Sequence, residues 1–263
     1  MHSRFLALPL VLTFGAVACG GGTPAPEPTS KEQPAAPAAA VDPATAASVS
    51  GTVTFEGTAP TNQPIKMNAD PVCMKANATP QAQETFMVKD GKLGNVFVFV
   101  QDGLGSRTFT APTTPVVLNQ ENCRYHPHVF GLMVGQPMEI VNSDSTLHNI
   151  HAIPGTNQEF NTAQPIKGMK TEHIFTAKEE KVVVPFKCDV HGWMNAYAGV
   201  LDHPYFAVTG EDGTFSIKDL PPGTYTLAAW HEKAGTKTMS ISVAAKESKA
   251  DANFTFSAPA AGN

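Results

Sequence analysis

A chain of 263 residues, 42% apolar and 16% charged, has room for one large folded body or two small ones. Its formal net charge of −5 comes without any basic block, which argues against nucleic acid as a partner. After the first residues no apolar run approaches the roughly 20 that span a bilayer, so the body reads as soluble.

Residues 1–18 read as a secretory signal: a basic start at His2 and Arg4, an apolar run from Phe5 to Val17, then small residues. Ala16-Val17-Ala18-Cys19 resembles a bacterial lipobox. The resemblance implies that Cys19 is lipidated and begins the mature chain, although Ala16 stands where a larger aliphatic residue is usual. A plain signal peptide cut at a nearby small residue is the alternative. Residues 19–48, rich in Gly, Pro and Ala, lack the large apolar side chains needed to offset ordering entropy and read as a disordered tether.

Everything from residue 49 onward reads as β. "VSGTVTF" alternates between apolar and polar residues. "NVFVFV" (95–100) is apolar on both faces and predicts a central strand. "GLMVGQPMEIVN" (131–142) predicts two strands around Gly-Gln-Pro. "EEKVVVPFKC" (179–188) predicts a strand, with Glu179 and Glu180 solvated at its start. "FAVTGEDGTFSI" predicts a hairpin around Asp212-Gly213, and "LPPGTYTLAAW" a turn and a further strand. No stretch has sustained helical periodicity, so an all-β sandwich class is expected.

Cysteine usage sharpens the picture. In an oxidising compartment, with Cys19 assigned to lipid and Cys188 a candidate ligand, Cys73 and Cys123 remain as an even pair and predict a disulfide. Cys188, His191 and Met194 follow at steps of three in "FKCDVHGWM" (186–194). They are either three ligands of one metal or three ordinary residues, since a lone buried Cys or Met is commonly core filler. A thiolate, two imidazoles and a weak thioether form the donor set of blue-copper centres. "NSDSTLHNIHA" (142–152) offers the second imidazole, His148. His151 lies an odd offset away on an extended segment and should face the other side. His126 and His128 could share a second, weaker ion, but Pro127 stands between them and no third ligand is near. A structural zinc site takes four strong N or S ligands, and a dinuclear copper centre needs a second cysteine where Gly192 stands. No Gly-x-Ser-x-Gly or readable carboxylate pair supports a hydrolase.

The segment from "YHPHVFGLMVGQPMEIVNSDSTLHNIH" through Cys-x-x-His-x-x-Met resembles the cupredoxin family, with ligand spacing most similar to amicyanin. Tyr125 and Pro127, Val134-Gly135, Asn142 and Asp144, and His148-Asn149 carry the likeness, over roughly residues 115–202. It implies one copper held by His148, Cys188 and His191, with Met194 axial. Asn149 would tie the two ligand loops by hydrogen bonds. His191 would bring its ring edge to the surface as an electron port, within a docking patch that includes Gly192 and Trp193. Asp189 departs from the Ser, Thr or Pro common beside the cysteine, and its carboxylate should favour the oxidised metal.

Residues 207–243 resemble the carboxypeptidase regulatory-like, or transthyretin-like, β-sandwich family through Asp212, Gly213 and Phe215, then Leu220, Pro221, Gly223, Tyr225 and Leu227. Gly51-Thr52-Val53 and "NVFVFV" fit that family's first strands. The expected organisation is therefore 1–18 leader, 19–48 tether, 49–110 first part of a sandwich, 111–204 a cupredoxin-like Greek-key domain, and 205–257 a second sandwich completed by 49–110. Two sequential domains are the alternative. The resulting expectation is an exported, lipid-anchored, non-enzymatic single-electron carrier on the periplasmic or cell-surface side of a bacterial membrane, working with a redox partner protein. A tethered carbohydrate-binding or adhesion module, or a copper storage or delivery protein, are the rival functions.

Overall fold

The computed structural model describes residues 41–259. The leader 1–18, Cys19 and residues 19–40 of the tether lie outside the described residues. From the N-terminal side the strands are β1 (Ala47–Glu56), β2 (Val88–Lys89), β3 (Lys92–Leu93), β4 (Phe97–Asp102), β5 (Val116–Glu121), β6 (Arg124–His126), β7 (Val129–Met133), β8 (Pro137–Asn142), β9 (His148–Ala152) and β10 (Phe160–Gln164). They continue as β11 (Lys170–Ile174), β12 (Val183–Lys187), β13 (Asn195–Leu201), β14 (Phe206–Val208), β15 (Thr214–Leu220), β16 (Gly223–His231), β17 (Gly235–Val243), β18 (Ser248–Lys249) and β19 (Phe254–Ser257). The one helix among the described residues, α1 (Pro71–Ala76), is six residues long. It is too short for a periodic apolar stripe and starts at an Asp-Pro cap, where Pro71 needs no N–H partner.

The protein is all-β, and among the described residues its strands form four sheets. Sheet I runs β15-β1-β3-β2, with β18 and β19 also paired to β1, and sheet II runs β14-β4-β16-β17. Sheet III runs β10-β9-β12-β13-β7, and sheet IV runs β11-β8-β5-β6. Sheets I and II take strands from both ends of the described chain, while III and IV are built wholly from β5 to β13.

Period-two alternation sets the stacking. On β4, Val98 and Val100 enter a core with Val49, Val53, Phe215, Ile217 and Leu227, between sheets I and II. Phe97 and Phe99 point the other way, into a middle core with Val129 and Leu201 from sheet III. On β13, Ala196, Ala198 and Val200 enter a third core with Leu118, Ile140 and Phe186, between sheets III and IV. Strand β4 is thus covered on both faces, which explains its unbroken apolar sequence.

Gly131 and Gly199 lie opposite each other on β7 and β13 and leave room for the Phe97 ring between the two sandwiches. A Cβ on Gly199 would collide with three atoms of that ring. Gly199→Ala is expected to lower stability by about 1–3 kcal/mol through overpacking, measured as a lower midpoint in urea with unchanged slope.

Three sequence expectations change. β1 starts at Ala47, inside the stretch read as disordered tether, because Ala47 and Val49 already alternate into the first core and Asp42 organises a turn ahead of them. β14 and β15 do not form a hairpin: β14 pairs with β4 and β15 with β1, so the Asp212-Gly213 turn carries the chain between sheets. Glu179 is buried rather than solvated, accepting hydrogen bonds from the backbone N–H groups of Gly155, Thr156 and Asn157 at 2.7–2.9 Å.

Candidate metal centre

Two segments meet at one end of the third core. β9 opens directly with His148, after a turn in which Asn142 Oδ1 accepts the Asp144 N–H at 2.9 Å. β12 ends at Lys187, and residues 188–194 form a closed loop before β13. The Met194 N–H donates to the His191 carbonyl at 2.9 Å, and the Cys188 N–H to the Met194 carbonyl at 3.2 Å. Pairing of β12 with β9 brings this loop beside His148.

His148, Cys188 and His191 are all buried and converge. His148 Nδ1 lies 3.0 Å from His191 Nδ1, and Cys188 Sγ lies 3.9 Å from His191 Nδ1. Ligand bonds of roughly 2.0–2.3 Å put donor atoms on one ion roughly 3–4 Å apart, so these separations fit a shared metal. Cys188 carries a free thiol. Burial pushes that thiol up, but hydrogen bonds from His148 and His191 and from the Asn149 and His191 backbone outweigh it and bring its pKa down to about 6. The thiolate, the species that ligates metals, is therefore favoured near neutral pH.

Each imidazole is braced from behind. His148 Nε2 donates to Asp144 Oδ2 at 2.9 Å, and Asp144 is itself held by the N–H groups of Asn122 and Cys123. His191 Nε2 donates to Asp70 Oδ2 at 3.1 Å. With both Nε2 atoms turned to carboxylates, the two Nδ1 atoms and the sulfur face one point and share protons among themselves. Two imidazoles and a thiol are a donor set that fits a resident metal.

Asn149 joins the two loops: its Oδ1 accepts from the Asp189 N–H at 2.8 Å and from the Cys188 thiol at 3.3 Å. The Asp189 carboxylate is surrounded by Lys187 at 3.1 Å, Asn161 at 2.7 Å and His151 at 2.9 Å, so two potential cations offset its charge. His151 faces away from His148, between Asp189 and Glu159. His128 bonds to Glu232 at 2.6 Å and to the Asn195 carbonyl at 3.2 Å. Met194 is buried in the same apolar cluster as Cys188. Cys73 and Cys123 are joined in a disulfide.

One expectation is corrected. His191 does not reach the surface: it is only 3% exposed, because Asp70, at the head of α1, and Cys73 of the disulfide cover its Nε2 edge. Gly192 is exposed and Trp193 is half-buried, its Nε1–H donating to the Cys123 carbonyl at 3.0 Å. Sequence reasoning missed Asp70, and it named Asp144 only as part of a turn. The Asp70-Pro71 pair was a readable helix start, but nothing in it pointed to a histidine 121 positions away.

These sheets define an all-β protein of the β-sandwich class. Solved structures similar to the chain include a purple cupredoxin from Nitrosopumilus maritimus, at 23% identity over 32% of this chain and 98% of that one, with a TM-score of 0.28. Amicyanin, as a methionine-to-alanine mutant in the Cu(I) form, matches at 18% identity over 39% of this chain and 97% of its own, with a TM-score of 0.29. A copper-containing nitrite reductase from Thermus scotoductus SA-01 matches at 18% identity over 58% of this chain but only 28% of its own, with a TM-score of 0.32. Residues 176–251 match the family described as "Polysaccharide lyase family 4, domain II". No curated protein matches the chain.

Proposed function

We propose that this is an exported, lipid-anchored, mononuclear blue-copper protein that carries single electrons between redox partners. The observation that carries the reading is the convergence of two buried imidazole Nδ1 atoms and a buried free thiol on one point. His148, Cys188, His191 and Met194 would hold the ion. The copper would supply a centre that gains or loses one electron. The chain's own residues fix the ligands before any metal arrives: Asn149 locks the loops together, and the carboxylates hold the rings. Little then has to move when charge changes, which favours fast transfer.

With His191 covered, the electron route runs through Trp193, whose ring lies 4.9 Å from that of His191 and is half-exposed. A redox partner would dock on the apolar residues beside the site. Leu147 precedes His148, Val190 precedes His191, and Val72 and Met74 flank Cys73; all four are exposed. Cys19, if lipidated, would keep this surface near the membrane on the periplasmic or outer side. Residues 111–204 form the copper-carrying domain, placed between the two halves of a second sandwich.

The test is the visible and EPR spectrum of the purified protein with one equivalent of Cu(II). An intense thiolate-to-copper band with narrow copper hyperfine splitting is the expected result. If no such band develops, the reading is wrong, and the polysaccharide-lyase-like match turns attention to binding. A cleft of about 310 Å³ lined by Phe99, Phe109, Arg107, Lys178 and His203 would then be the first place to look for a saccharide.

A further inference from the structure

We propose that Asp70 is a positioning residue for His191 and that the Cys73–Cys123 disulfide ties the braces of both histidines into one closed frame. The proposal rests on the reading of His148 and His191 as ligands. Asp70 sits outside sheets III and IV, on the segment between β1 and β2. Its two oxygens do different work. Oδ1 caps α1, accepting from the Val72 N–H at 2.7 Å and the Cys73 N–H at 3.2 Å. Oδ2 accepts from His191 Nε2 at 3.1 Å and from the Thr146 hydroxyl at 2.7 Å. Thr146 lies two residues before His148, so the same carboxylate also touches the other ligand loop.

The connections form a ring. His191 bonds to Asp70, and Asp70 caps the helix that carries Cys73. Cys73 is bonded covalently to Cys123, whose N–H donates to Asp144 Oδ2 at 2.7 Å. Asp144 accepts from His148, and His148 faces His191 at 3.0 Å. An acceptor on Nε2 holds each ring as the Nε2–H tautomer and leaves Nδ1 free to ligate. The frame therefore selects the ligating nitrogen of both rings, and in closing over His191 it removes the ring edge from the surface.

Two substitutions separate bracing from folding. Asp70→Ser keeps a good helix cap but is too short to reach Nε2; Asp70→Asn keeps the cap through Oδ1 and turns an amide N–H donor toward Nε2. Long-range ¹H–¹⁵N correlation spectra of the metal-free protein read the tautomer directly. The native chain is expected to show His191 as Nε2–H, and Asp70→Asn as Nδ1–H. Asp70→Ser is expected to show exchange between tautomers at nearly unchanged melting temperature, and roughly 10- to 100-fold weaker Cu(II) binding. A fixed Nε2–H tautomer in Asp70→Ser, with native copper affinity, would overturn the proposal. The spectra need no metal, so the brace and the copper reading fail separately: loss of the tautomer in Asp70→Ser alongside no blue band in the native protein would sink only the latter.

Discussion

Cys188→Ser is expected to abolish the intense visible band and widen the copper hyperfine splitting, while near-ultraviolet circular dichroism stays native. The thiol is buried, accepts the His191 N–H at 3.4 Å and stands in the same closed loop as Met194. Serine nearly matches its volume, so the loop survives, but a hydroxyl does not ionise in this range and is a poor ligand for a soft ion. On the copper reading the sulfur would also be the source of the charge-transfer absorption, so the colour should disappear even if the two imidazoles still hold Cu(II). Affinity measured by competition with a chelator should fall by more than the roughly 10- to 100-fold that an outer hydrogen-bonding partner is worth. A variant that keeps the band would mean that the sulfur is not a ligand.

The second large effect is on stability. In a Cys73→Ala/Cys123→Ala protein, a cross-link across 50 residues is lost. On the chain-entropy account this removes about 4 kcal/mol, because the unfolded chain regains the freedom of that loop. For a body of this size the melting temperature should fall by roughly 10 °C, as read by calorimetry of the metal-free protein. The loss should exceed that of a remote bridge in one respect. Cys123 donates to Asp144 and receives the Trp193 N–H, and Cys73 lies in the helix capped by Asp70. Copper affinity should therefore fall with stability, whereas a bridge serving only as a staple would leave affinity unchanged in the folded fraction.

The all-β class was legible because strand periodicity is local: "NVFVFV" could only suit a strand covered on both faces, and β4 is that strand. The candidate ligand loop was legible for a similar reason, since Cys188, His191 and Met194 lie close in sequence and a tight loop leaves them few arrangements. What escaped was set by tertiary contact. Whether Asp212-Gly213 closes a hairpin or bridges two sheets depends on what β1 and β4 offer as partners. Glu179 looked like a solvated strand start because its partners, the N–H groups of residues 155–157, are backbone and leave no mark in the sequence. The cover on His191 comes from a six-residue helix whose sequence resembles any short turn.

The way β1 is paired has a consequence for how the protein is made. This strand is the hub of its sheet, yet Thr54 meets Phe254 200 positions away, and Val49 lies opposite Ile217. Strands β5 to β13 have all their sheet partners among themselves. During synthesis the middle sandwich can close while Val49, Val53 and Phe55 still wait for β15 and β19. Long-range pairing of this kind is slow, and unpaired strands invite aggregation. A holding chaperone that recognises extended apolar segments would therefore have its main target in β1, a strand far in sequence from the candidate copper ligands.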